Sequence, residues 1–74
     1  MTYELTNEEK VAVIDSHLKN LEYNRYNLTI SVVEESAVSS PNATKLSELQ
    51  ADISGIDLKI AALNLEKADL AVGA

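Results

Sequence analysis

The feature that narrows this chain's options most is an apolar repeat in its second half. Leu46, Leu49, Ile53, Ile56, Ile60, Leu63 and Leu70 follow alternating steps of three and four residues, and Lys67 is the one polar member. Such steps keep the side chains along one edge of an α-helix, and an edge this long calls for a second helix to cover it. The first half carries the matching edge: Val11, Ile14, Leu18, Leu21, Leu28 and Val32, interrupted by Arg25. Asn27-Leu-Thr-Ile-Ser-Val-Val33 has modest helix propensity, because branched side chains lose rotamer freedom in a helix. The repeat keeps its phase through that stretch, so helix is predicted there too.

Start and stop signals divide the chain. Residues 1 to 5 read as a lead-in, with Tyr3 and Leu5 available to pack on a helix end. Thr6-Asn-Glu-Glu9 has the capping-box pattern, and Glu8 and Glu9 suit the positive end of the helix dipole. Ser39-Ser-Pro-Asn42 is the clear break. Proline cannot continue the first helix but suits the first turn of another, with Ser40 as its N-cap. Gly73 stands where a C-terminal glycine would end that helix. The expected organisation is one domain over 1–74, with a first helix at about 7–38, a turn at 39–40 and a second helix at about 41–72. Gly55 lies inside the second helix at a cost of roughly 1 kcal/mol relative to Ala, and is read as tolerated rather than as a point of close approach.

A connection this short makes the two helices antiparallel. Folding at the serine pair then matches Val11 with Leu70, Leu18 with Leu63, Leu21 with Ile60, Leu28 with Ile53 and Val32 with Leu49. Each pair is apolar on both sides, and its residue numbers total 81. In the same register Arg25 faces Ile56, next to Asp57 across the interface and Glu22 one turn earlier. An Arg25–Asp57 bridge is predicted, with Glu22 as second partner and with register-setting as its role. Lys67 faces Ile14 close to Asp15, its stem along the seam and its amine in water.

Size and composition bear on whether a hairpin suffices. Seventy-four residues make a marginal core, and such chains usually add disulfides, a metal or partner chains. There are no cysteines and one histidine, too few of the ligands that structural zinc prefers, so neither a metal nor a cofactor is expected. Oligomerisation is the route left. The net charge of -6 disfavours nucleic acid and anionic membranes as partners. No apolar run is long enough to span a bilayer, and Met1-Thr-Tyr-Glu-Leu5 lacks the regions of a signal peptide, so a cytoplasmic location is expected.

A second apolar stripe shows where oligomerisation would occur. Tyr23, Tyr26, Ile30, Val33 and Ala37 share a face of the first helix away from the seam. Leu58, Leu65 and Val72 do so on the second, helped by Ala51, Ala61, Ala62 and Ala68. Contiguous apolar surface of this kind marks protein interfaces. The expected architecture is an antiparallel, coiled-coil-like two-helix hairpin completed by oligomerisation, most simply two hairpins in a four-helix bundle. The function expected is structural or assembly-related and non-enzymatic. The alternative is an adaptor or inhibitor that docks on a different, host protein.

Candidates for chemistry are few. His17 has no carboxylate three residues before it, so the Glu-x-x-His spacing of di-metal bundles is absent, and it reads as a boundary residue facing Glu66. Glu34 and Glu35 diverge as helical neighbours and read as solvated. Asn20, Asn24 and Asn27, with His17 and Ser31, form a polar ribbon expected to be partly exposed. Asn27-Leu-Thr29 and Asn42-Ala-Thr44 match the glycosylation pattern by chance. No phosphate loop, nucleophile elbow or zinc signature occurs.

Three phrases, Leu5-Thr-Asn-Glu-Glu-Lys10, His17-Leu-Lys-Asn-Leu-Glu-Tyr-Asn24 and Ile56-Asp-Leu-Lys-Ile-Ala-Ala-Leu63, together resemble small uncharacterised proteins encoded by marine tailed bacteriophages, cyanophages among them. The resemblance runs from the capping box through the second helix. It brings no catalytic or binding residues with it. It implies an accessory or virion-associated protein, in the cytoplasm of an infected bacterium or in the virion.

Overall fold

The computed structural model describes residues 4–72, so Tyr3 and Gly73 lie outside the described residues. Two α-helices make up the fold: α1, Asn7–Ser36, and α2, Ala43–Val72. Each has 30 residues, about 45 Å at 1.5 Å per residue. They pack against each other as an antiparallel hairpin within a rod of 60 × 18 × 18 Å.

The start of α1 is fixed by its capping box. The Glu9 backbone N–H donates to Thr6 Oγ1 at 3.1 Å, and the Thr6 N–H donates to Glu9 Oε1 at 2.9 Å. These bonds satisfy donors that a helix end otherwise leaves to water. Leu5, just before this cap, is 43% exposed.

The turn is longer than expected, because each helix is trimmed by two residues on the turn side. At the end of α1 the Ala37 N–H is shared between the carbonyls of Val33 at 3.1 Å and Glu34 at 3.3 Å, and the ladder stops there. Ser40, which precedes proline, is disfavoured in helical geometry, so the helix has to end before it. The second helix is capped by Asn42 rather than Ser40. Asn42 Oδ1 accepts the Lys45 N–H at 3.0 Å, and the Asn42 carbonyl accepts the Leu46 N–H at 3.0 Å. Pro41 therefore precedes the cap instead of occupying the first helical position. Glu35, expected to be solvated, closes the turn: its Oε1 accepts the Asn42 N–H at 3.0 Å and its Oε2 lies 3.9 Å from Lys45 Nζ.

The inner seam is covered as the repeat requires. Ile14 is buried at 9% exposure, and Val11, Leu18, Leu21, Leu28 and Val32 are half-buried. Leu46, Leu49, Ile53, Ile56, Ile60, Leu63 and Leu70 are half-buried on the other side. The cross-links report the register. Asp15 with Lys67 and Arg25 with Asp57 each total 82, and Glu35 with Lys45 totals 80, bracketing the 81 of the apolar pairs. At the open end Asn7 Nδ2 donates to the Leu70 carbonyl at 3.3 Å.

Two further points concern the helix interiors. Thr29 Oγ1 donates to the Arg25 carbonyl at 2.9 Å and Ser31 Oγ to the Asn27 carbonyl at 3.2 Å. Their hydroxyls are turned back onto the helix inside the branched stretch, leaving the ladder intact. A Cβ built on Gly55 meets no atom within 4 Å, so no close approach in the hairpin requires glycine there.

Candidate interaction surface

The inner seam defines the outer face by geometry. At 100° per residue, the positions of Tyr23, Tyr26, Ile30 and Val33 lie about 150° round α1 from the seam. Leu58, Leu65 and Val72 stand likewise on α2. All are exposed: Tyr23 at 70%, Leu58 at 73% and Val72 at 86%, with Tyr26, Val33 and Leu65 each above half. Ile30 is the most covered at 37%. Ala37, Ala51, Ala61, Ala62 and Ala68 are exposed as well.

Large apolar side chains in water are individually ordinary, but aligned runs of them are not. On α1 the run occupies the C-terminal half of the helix, next to the turn. On α2 it also occupies the C-terminal half, which antiparallel packing puts at the open end. The two faces therefore look out from opposite backs of the rod and are offset along it. Tyrosine suits the border of such a face, since its ring adds apolar area while its hydroxyl keeps a polar partner.

Charge is placed beside these faces rather than on them. Arg25 Nε donates to Asp57 Oδ1 at 2.6 Å, and Arg25 Nη2 donates to Asp57 Oδ2 at 3.3 Å. This two-bonded geometry makes a planar, directional clamp between the helices. The hydrogen bond and charge of Asp57 hold the Arg25 guanidinium above its ordinary value, with Glu22 adding a smaller push in the same direction. The hydrogen bond from Arg25 draws the Asp57 carboxyl below the ordinary carboxylate range. Glu22, Arg25, Tyr26, Asp57 and Ile60 line a groove where this clamp borders the α1 face. Nearer the open end Lys67 Nζ donates to Asp15 Oδ1 at 2.7 Å, while the rest of Lys67 stays half-buried along the seam.

Other candidates disperse. His17 is exposed. Asn20, Asn24 and Asn27 are exposed, and Ser31 is half-buried. Among the described residues, no three His, Asp or Glu side chains are grouped so as to hold a metal ion, and no helix is long and apolar enough to cross a membrane. Sequence reasoning overlooked Glu35 and Asn42, which together shape the turn. The signal for Asn42 was present, since asparagine immediately before Ala-Thr-Lys is a good N-cap.

No family model, curated protein or solved structure matches the chain.

Proposed function

We propose that this hairpin is a non-enzymatic structural or assembly protein whose copies associate through the outer apolar faces. The observation that carries the reading is the surface the hairpin leaves in water. A compact protein of 8.0 kDa exposes about 4,450 Å² by the scaling of area with mass, whereas this chain exposes 5736 Å². Its radius of gyration is 17.2 Å, against about 11 Å for a compact domain of this length. The excess of about 1,300 Å² comes with the elongated shape, and what it leaves open to a partner includes Tyr23, Tyr26, Val33, Leu58, Leu65 and Val72, each more than half exposed. Ile14 is the one core side chain among the described residues, so association is the available way to add apolar burial.

The phrases resembling marine phage proteins suit an accessory or virion-associated setting, where copies of a small protein assemble. Light scattering across a range of concentrations tests the reading. An oligomer for the native chain, lost in Tyr26→Glu with Ile30→Glu while helicity persists, is the expected result. A monomer at every concentration would overturn self-association and leave docking on a different protein as the reading.

A further inference from the structure

We infer that each chain carries two unlike contact faces, and that the back of α1 in one copy seats on the back of α2 in the next. The inference rests on the self-association proposed above and specifies its form. It replaces one shared face by a head-to-tail pair.

Three observations carry it. First, the faces diverge, so a single partner lying against one back leaves the other uncovered. Second, the faces match in spacing. From Tyr23 to Ala37 and from Leu58 to Val72 the steps are three, four, three and four, and corresponding positions are 35 apart. Laid parallel in that register, Tyr23 falls on Leu58 and Ile30 on Leu65, large on large, while Tyr26 falls on Ala61 and Val33 on Ala68, large on small. The two kinds of layer alternate along the contact, the alanines making room beside the bulkier layers. Third, the flanks tolerate it. Glu22 meets Ala62, Glu34 meets Asn64, Asp57 meets Asn27 and Asp69 meets Thr29. No two carboxylates are brought together, although the chain's net charge is -6.

The occupant of each face is therefore a second copy. Parallel seating of α1 on α2 turns successive rods end for end, with the turn of one beside the open end of the next. Every added copy presents a fresh face, so assembly continues as an open ribbon unless rotation closes it into a ring.

Mixing two blocked variants tests this. Tyr26→Glu/Ile30→Glu blocks the α1 face and Leu58→Glu/Leu65→Glu blocks the α2 face. Both pairs are exposed in the hairpin, so circular dichroism should show native helicity; Gln in place of Glu repeats the test without added charge. The expected result is an oligomer beyond dimer for the native chain, a monomer for either variant alone, and a species of twice the monomer mass when the two are mixed. A homodimer of either variant, a silent mixture, or a native chain that stops at a dimer overturns the head-to-tail arrangement and leaves self-association standing. A native chain that is monomeric throughout overturns both.

Discussion

Truncating one inner and one outer side chain separates the energetics of folding from those of assembly. Ile14→Ala removes three carbons from a site that is 9% exposed. At about 0.8 kcal/mol per buried carbon, this costs about 2 kcal/mol. The cavity contribution should be small, because the neighbouring seam residues are half-exposed and can settle inward. A chain of this length has a total stability of about 4–11 kcal/mol, so the melting temperature should fall by about 8–16 °C. Leu58→Ala removes as many carbons from a side chain already 73% exposed. In a lone hairpin that costs about 0.5 kcal/mol, and the better helix propensity of alanine offsets part of it. Once a second copy covers Leu58, the same truncation costs about 2 kcal/mol and its effect grows with protein concentration. Thermal unfolding followed by circular dichroism, for both variants at low and high concentration, reads the difference. A Leu58→Ala penalty that stays small at every concentration would refute assembly over that face, and one that exceeds the Ile14→Ala penalty when dilute would refute the division between inner and outer faces.

Other perturbations have defined outcomes. Because Arg25 draws the Asp57 carboxyl below its ordinary value of 3.8, the clamp contributes fully above that pH and is lost as pH falls through the lower folded value. Asp57→Asn should flatten that part of the acid-unfolding curve, a change visible in titrations followed by ellipticity. Gly55→Ala adds a methyl group where nothing lies within 4 Å, so it should raise stability by about 0.5–1 kcal/mol in denaturant melts. Asn42→Ala removes the cap of α2 and should cost about 1 kcal/mol, while Ser40→Ala should leave the melting temperature nearly unchanged.

Most of what was legible in the sequence depends on period, with the start of α1 read from its Thr6–Glu9 capping box and the break from Pro41. Alternating three- and four-residue steps place the seam, and a short connection then fixes which residues meet. That is why the Arg25–Asp57 bridge and the nearness of Lys67 to Asp15 follow from position, although the Lys67 amine, expected in water, donates to Asp15 Oδ1 instead. The turn was less legible. Ser40 and Asn42 are both good caps, and local sequence does not rank them. In the fold the Glu35 carboxylate accepts the Asn42 N–H across the turn, a contact between residues seven apart that local sequence does not show. The outer faces were visible as a pattern, but what covers them is a property of several chains and lies beyond one chain's periodicity.

The inner seam and the opposite backs both exist because the chain doubles back, and an extended helix would have neither. With no native cysteine, spin labels can be placed at Glu8→Cys and Ala71→Cys, which border one depression at the open end. Pulsed dipolar spectroscopy on labelled chains diluted into unlabelled protein then reads the distance within a single chain. The hairpin predicts a narrow distribution at about 15–25 Å, from two helix axes packed 8–10 Å apart plus the label arms. A separation near 90 Å, the span of one unbroken helix between those positions, would contradict it.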